Sequence, residues 1–324
     1  MSKSLSLSGL ALAMLACLPA VSQAQQAYPS RPIRLIVAFG PGSVNDAMAR
    51  ELAKTMYTYL GQPVVVENKP GAGGVVGTDY VAKAAPDGYT VGLGTSSQLV
   101  MNVGLQKTLP FDVDRDLAPI GLVSRTPLAL AVRADGPGSL ADLVKLAKES
   151  KAQHLTYSSS GVGSINHIAG AAFAQQAGVD MLHVPYKGAA AAAADLAAGR
   201  VDMMLVTLPS MAGLVEQGKV KVLANGIGQR GATTPNVPTF AEAGMSAFKG
   251  YTWNNLFVPA RTPKEVVAKL NDALNRALAD PQVKQFAQAQ TAELLGPSTP
   301  AQAADFERKE RAAWVPFIRS LNIE

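Results

Sequence analysis

The chain has 324 residues, 48% of them hydrophobic and 16% charged; that is about two domains at roughly 150 residues each, and too apolar for a disordered polymer. Its 29 basic and 24 acidic residues leave a net charge of +5, which excludes a nucleic-acid-binding stripe while permitting mild attraction to anions. With 29 Gly and 21 Pro, frequent short turns are expected, which argues against a helical bundle.

An export signal opens the chain. Lys3 gives a positive start, Leu10 to Val21 is apolar, and Ser22-Gln23-Ala24 has the small-x-small form of a cleavage site. Removal of residues 1–24 is expected, leaving a soluble, periplasmic mature chain. The apolar run is too short to span a bilayer. Cys17 is the only cysteine and lies in this segment, so disulfides and cysteine catalysis are excluded from the mature chain. Met14, where lipoprotein sites prefer Leu, argues against lipidation at Cys17.

From Ile33 onward, β-rich runs alternate with helical patterns. Ile33–Phe39 reads as a strand, and Asp46–Leu60 as a helix with Met48, Leu52, Met56 and Leu60 on one stripe. Strands follow at Val64–Glu67 and Thr90–Thr95, the glycine-rich turn Gly71–Gly77 between them leading into a helix at Thr78–Ala85. Ser139 with Asp142 opens a helix over Leu140–Ser150. Leu155–Ser160, Met181–Tyr186, Asp202–Thr207 and Val220–Ile227 are strands, and the six alanines Ala189–Ala194 form a small-faced helix. Thr262-Pro263-x-Glu265 reads as N-cap, N1 and N3 of a helix bearing Val266, Leu270, Leu274 and Leu278. Asp280-Pro281 and Thr299-Pro300-x-Gln302 start two more.

This alternation predicts an α/β architecture with mainly parallel sheets. One βα set runs to about residue 118 and a second from about 138 to 228. The β-rich stretches Pro119–Val132 and Tyr251–Pro259 are then two strands crossing between domains. The expected division is 25–124 plus 254–324 for the first domain and 125–253 for the second.

Two loops carry the candidate chemistry. Phe39-Gly40-Pro41-Gly42-Ser43-Val44-Asn45-Asp46 joins the first strand to the first helix. Ser158-Ser159-Ser160-Gly161-Val162-Gly163-Ser164-Ile165-Asn166-His167 does the same in the second set. Glycine permits tight turns, and the free N–H groups of a helix start can hold an anion. Open α/β sheets bind ligands beyond their strand carboxyl ends, so two such loops facing each other would make an anion-binding cleft. Each loop alone is also what an ordinary tight βα turn needs. Ser96, Ser97 and Thr207 follow strands at the same level, as wall residues or N-caps. Trp253, on the return crossing segment, is a core residue or a stacking partner. Phe39, Tyr186 and Trp253 would flank an aromatic ligand.

Gly71-Ala72-Gly73-Gly74-Val75-Val76-Gly77 imitates a dinucleotide fingerprint with its third glycine one position late, and no phosphate-loop motif occurs. His154, His167 and His183 lack metal-ligand spacing; neither metal nor cofactor is expected. A Ser164–His167 nucleophile pair lacks the G-x-S-x-G elbow, which leaves a secreted hydrolase as the least favoured reading. The site is expected to bind rather than react.

Six motifs together carry a resemblance: Tyr28 to Val37 (YPSRPIRLIV), Gly61 to Gly74 (GQPVVVENKPGAGG), Ala85 to Tyr89 (APDGY), His183 to Gly188 (HVPYKG), Gly199 to Asp202 (GRVD) and Asn236 to Thr239 (NVPT). The sequence resembles the Bug family, the periplasmic solute-binding receptors of tripartite tricarboxylate transporters, over essentially the whole mature chain. The resemblance implies a two-domain Venus-flytrap fold with two crossing strands, and a small carboxylate, often a dicarboxylate, bound in the cleft without metal or cofactor. It also implies transporter membrane subunits as partners, with a monomeric receptor and no nucleic acid. A sensor presenting its ligand to a signalling partner is the alternative. Carboxylate binding falls on Phe39 to Asp46 and on Ser158 to His167, with Pro185 and Tyr186 of the fourth motif. Family loops usually run P-x-G-G-x-x-D; here Ser43 replaces the second glycine. Asp46, beside an anion site, is expected to cap helix N–H groups or to orient a bridging water.

Overall fold

The computed structural model describes residues 28–321 apart from 107, 151–153, 227–229, 231–233 and 249. Its first βα set contains β1 (Ile33–Val37), α1 (Val44–Leu60), β2 (Val64–Asn68), α2 (Val75–Ala82), β3 (Thr90–Thr95) and α3 (Asn102–Leu105). After β4 (Leu117–Arg133), the second set contains α4 (Leu140–Glu149), β5 (Leu155–Ser159), α5 (Ile165–Ala177), β6 (Met181–Pro185), α6 (Ala189–Ala197), β7 (Met203–Thr207), α7 (Ala212–Glu216) and β8 (Val220–Asn225). Next come β9 (Tyr251–Pro259) and a tail of α8 (Lys264–Ala279), α9 (Pro281–Ala289), β10 (Glu293–Leu294) and α10 (Pro300–Ser320). The export signal, Cys17 and the expected strand end at Ile227 lie outside the described residues. Among the described residues, no helix is long and apolar enough to cross a membrane.

The strands follow the order β2-β1-β3-β9-β4-β7-β5-β6, with β8 and β10 also paired to β4. Parallel pairing is confined to the interiors of the two sets, β1 with β2 and β3, and β5 with β6 and β7. β4 and β9 run antiparallel to every partner, so the sheet is mixed rather than mainly parallel. The 17 residues of β4 reach about 56 Å at 3.3 Å each. Its first part, from Leu117 to Pro127, pairs with β9; from Leu128 onward it pairs with β7 and β8. Pro127 marks the change of partner because it has no N–H to give to a ladder. These are the two strands that the sequence expects to cross between domains.

Helix α1 buries Met48, Leu52, Met56 and Leu60 against Leu35 and Val37 of β1 and Leu270 and Leu274 of α8. Each contributes about 1.5–3 kcal/mol by leaving water. A second core joins Leu99, Val100 and Met101, just after β3, to Ile165, Ile168 and Phe173 of α5 and to Trp253 of β9. The strand end of the first set therefore packs against the helix start of the second.

Three helix starts differ from the sequence expectation: α1 begins at Val44, two residues before Asp46, because Ser43 is its N-cap. Helix α2 begins at Val75 because a 3₁₀ turn at Ala72–Gly74 feeds straight into it. Pro263, not Thr262, is the N-cap of α8, since its backbone is extended (ψ 140°). The Thr262 hydroxyl instead donates to the Pro259 carbonyl at 2.7 Å. The other two tail starts form as expected, Asp280 capping α9 and Thr299 with Gln302 forming a capping box on α10.

Candidate ligand site at two matched loops

The loops Gly40–Asp46 and Gly161–His167 share the pattern G-x-G-S-(V/I)-N-(D/H) and, from the second glycine on, the same conformation; the first glycines differ, Gly161 alone having a positive φ, 132°. Gly42 and Gly163 have φ 78° and 77°, a left-handed geometry that favours glycine. Ser43 and Ser164 have φ/ψ of −68/158° and −71/156°. Each serine N–H donates back to the first glycine carbonyl, at 3.3 and 3.2 Å. Each serine hydroxyl accepts the N–H three residues on, from Asp46 at 3.2 Å and His167 at 3.3 Å. Each second glycine donates its N–H to the side chain four residues on: Gly42 to Asp46 Oδ2 at 3.0 Å, Gly163 to His167 Nδ1 at 3.3 Å. One turn has been built twice, at the carboxyl ends of β1 and β5.

The turns consume specific donors. Gly42, Ser43, Gly163 and Ser164 spend their N–H groups internally, and Ile165 gives its own to Ser97 Oγ at 3.1 Å. The helix-start donors left over among the described residues are the N–H groups of Val44, Asn45 and Asn166, three of the orphans every helix start carries. The Ser164 hydroxyl is fully committed, because it also donates to the Gly161 carbonyl at 2.7 Å. Ser43 keeps its hydroxyl proton.

Asp46 does not cap the N–H groups of the helix. Its carboxylate accepts from the Gly42 N–H of its own loop, from Arg50 through two contacts of 3.0 and 2.9 Å, and from Asn68 Nδ2 at 2.9 Å. Burial pushes this carboxyl up, but the hydrogen bonds of Arg50, Gly42 and Asn68 outweigh it and hold it below the usual range. Asn68 also donates to the Phe39 carbonyl. The negative charge is thus neutralised by Arg50, one turn further along α1. His167 occupies the equivalent place in the second loop without charge: burial, then the neighbouring His183, pushes it down to about 3.

His167 and Ser164 form no side-chain pair, since the ring Nδ1 takes Gly163 and the hydroxyl serves Gly161 and the helix. The Ser164–His167 nucleophile pair does not form.

The remaining candidates divide. Ser97 bridges the two sets through Ile165, Ser96 Oγ meets Thr252 Oγ1 of β9 at 3.0 Å, and Asn45 Oδ1 accepts from Asn254 of β9 at 2.9 Å. Ser159 is used by Gly161 and His183, and Ser160 donates to Asn166 Oδ1. Thr207 is buried and shares a hydrogen bond with Ser210. Tyr186 donates its hydroxyl to Asp195 at 2.8 Å, and Pro185 lies exposed on β6. Phe39 is half-buried against the first core. Trp253 is 0% exposed, donates its indole N–H to Glu310 and meets Phe306 edge-on, so it is a core residue.

Of the seven buried side-chain oxygens without a hydrogen-bond partner among the described residues, three stand on or just beyond β3 and β5: Ser158 Oγ of β5, Thr95 Oγ1 of β3 and Gln98 Oε1 just beyond β3. Such orphans are costly and call for a physical reason. Sequence reasoning named Ser158 but passed over Thr95 and Gln98, although both stand beside Ser96 and Ser97. The signal available was their position at a strand end.

Two crossing strands and one loop built twice, once per set, define a two-domain binding receptor. The chain belongs to the tripartite tricarboxylate transporter family receptors (TctC), which it matches over residues 48–323, a family of binding receptors rather than enzymes. It is 38% identical over 314 residues to the UPF0065 protein in the tcbD-tcbE intergenic region of Pseudomonas sp. strain P51, covering 96% of this chain and 92% of that one. Among solved structures it is similar to the periplasmic binding protein BugD (33% identity, TM-score 0.83, 92% of this chain and 99% of that one). It is similar also to R. palustris Rpa4515 with adipate (31%, 0.84, 90% and 98%) and to MatC from Rhodopseudomonas palustris with bound malate (31%, 0.82, 90% and 100%). The fold is accordingly the two-domain periplasmic-binding-protein fold with two crossing strands.

Proposed function

We propose that this chain is an exported periplasmic receptor that captures a small organic dicarboxylate and delivers it to the membrane subunits of a tripartite transporter. The carrying observation is the matched pair of loops, whose leftover donors at Val44, Asn45 and Asn166 suit the two ends of a dianion. Adipate and malate, named with two similar structures, are both dicarboxylates, which supports the class. Ser43 adds a hydroxyl donor, and Ser158, Thr95 and Gln98 add unpartnered polar groups buried at or just beyond the ends of β3 and β5. The domains are 25–124 plus 254–324 and 125–253, and they close by bending at β4 and β9. Each charge-assisted hydrogen bond contributes about 1.5–3 kcal/mol, so several of them, less the entropy of association, suffice for micromolar capture.

A thermal-shift and calorimetry screen of mono-, di- and aromatic carboxylates against the mature chain tests this. A dicarboxylate binding with 1:1 stoichiometry is expected. The absence of any carboxylate binder rejects the reading, and a preference for monocarboxylates removes the two-ended grip.

A further inference from the structure

Two cations occupy a pocket that the proposed function does not use. This open pocket of about 770 Å³ is lined by α2, the starts of β1 and β3, and Lys69 beyond β2; no lining residue belongs to either glycine loop. Two of its four cations are neutralised: Arg31 pairs with Asp87 at 3.0 Å and Lys83 with Asp79 at 2.8 Å, both cations being more than 60% exposed (62% and 65%). The other two, Arg34 and Lys69, are half-buried and meet no carboxylate among the described residues. Arg34 donates to the Tyr80 hydroxyl and, at 2.8 Å, to Thr90 Oγ1, both neutral oxygens. Lys69 Nζ stands 4.2 Å from the centroid of the Tyr80 ring, and the Arg34 guanidinium 5.5 Å from the same centroid.

One aromatic ring is therefore shared by two positive charges. The ring's quadrupole offsets part of their repulsion, but four cations against two carboxylates still leave the pocket at +2. Only two of the five guanidinium donors of Arg34 are committed. We propose that this pocket is a second anion site, distinct from the glycine loops, that takes a compact dianion, phosphate or a short dicarboxylate, between Arg34 and Lys69. The carboxylates of Asp79 and Asp87 beside the exposed cations repel an acidic polypeptide laid across the opening, yet leave room for a small ion within it.

The test is a titration of the ¹⁵N-labelled mature chain with inorganic phosphate and, separately, succinate, with chloride as control, following Arg34 Nε–H and the amides of Lys69 and Tyr80. Saturable shifts with phosphate, succinate or both are expected, and the salt that saturates identifies the source of the dianion. Arg34→Gln and Lys69→Gln should each weaken binding by at least about tenfold, as loss of one charge-assisted bond requires. Shifts at Val44 and Asn166 should be untouched by either variant. Arg31→Gln, at the rim, should change affinity no more than about twofold. Circular dichroism checks each fold; should Arg34→Gln unfold, Lys69→Gln decides. No saturable shift, an equal response to chloride, or full affinity in a folded Lys69→Gln chain overturns the proposal.

Discussion

The imidazole of His167 lies 3.7 Å from that of His183, centroid to centroid, with an interplanar angle of 11°. His167 Nδ1 holds the second glycine loop and His183 Nε2 is 2.7 Å from Ser159 Oγ, so both rings work as neutral struts. Burial pushes His183 down to about 4, and burial with the His183 field pushes His167 to about 3.

Acid should therefore destabilise the folded chain. The unfolded histidines titrate near 6.5, so below that pH the unfolded state binds two protons that the folded state refuses, and stability falls at about 1.4 kcal/mol per pH unit for each. Glu307 acts in the opposite sense. Burial raises its pKa to about 7 despite Arg311 and Asn255, so its contribution is complete below about pH 4.3 and is lost as pH rises through 7. Between about pH 4.3 and 6.5 the glutamate cancels roughly one of the two protons; below that window the folded His183 and then His167 take up their own protons, at about 4 and about 3, so the histidine contribution closes as that of the glutamate ends. Urea unfolding between about pH 6.5 and 4.5 should show a net uptake of about one proton on unfolding, and His183→Gln should remove about one proton from it. An unchanged slope in His183→Gln would reject the pair as the cause.

Removing the carboxylate of Asp46 should loosen the first loop more than neutralising it. Asp46→Asn keeps an oxygen for the Gly42 N–H, whereas Asp46→Ala leaves Gly42 and Asn68 without their acceptor. Gly42 is exposed and Asn68 half-buried, so water can replace the lost acceptor and each bond is worth about 0.5–1.5 kcal/mol. Chemical denaturation should rank parent, Asn and Ala in falling stability. Equal stability of the Asn and Ala variants would show that the ion pair with Arg50, not the loop contact, is what Asp46 contributes.

Much of this arrangement was legible before any coordinates. Thr90–Thr95 and Tyr251–Pro259 form strands with those bounds, because their composition and flanking turns agree with the pairing available to them. The two glycine loops were legible because their chemistry is local. Contacts distant in sequence were not. Trp253 was left open between core and ligand because its partner Glu310 lies 57 residues away. The role of Asp46 depends on Asn68, 22 residues on, and could not be read from the loop. The early start of α2 was hidden by its glycines: Gly71, Gly73 and Gly74 all adopt positive φ, a freedom that composition does not resolve into a turn type.

Aspartate at the two cap positions separates folding from binding. Asp is as good an N-cap as Ser, and it favours a helix start electrostatically, so Ser164→Asp should fold, with some loss of stability because a carboxylate cannot donate to the Gly161 carbonyl. It nevertheless puts an anion where a carboxylate end is proposed to sit, and should nearly abolish dicarboxylate binding. Ser43→Asp should do likewise, also with some loss of stability, since it stands beside Asp46. Alanine at either site loses the cap, about 0.5–2 kcal/mol of stability. Ser43→Ala should also weaken binding by up to about 13-fold, the worth of one hydroxyl donor, whereas Ser164→Ala, whose hydroxyl is already committed, should affect affinity less. Calorimetry of each variant beside its unfolding curve measures both. A folded Ser164→Asp chain with parental affinity would make these loops ordinary turns.

Ser97 offers a test of closure. Its hydroxyl accepts the Ile165 N–H at 3.1 Å, joining the segment after β3 in the first set to the start of α5 in the second. If the two sets close around a ligand, this bond belongs to the closed arrangement, and losing it shifts the population toward open forms without touching either domain's interior. Ser97→Ala should then weaken dicarboxylate binding by roughly 2- to 13-fold, the equivalent of one net hydrogen bond of about 0.5–1.5 kcal/mol, while the urea midpoint of the ligand-free chain stays within error of the parent. The opposite pattern, a lowered midpoint with unchanged affinity, would mean that Ser97 and Ile165 form a permanent packing contact and that closure is governed elsewhere along β4 and β9.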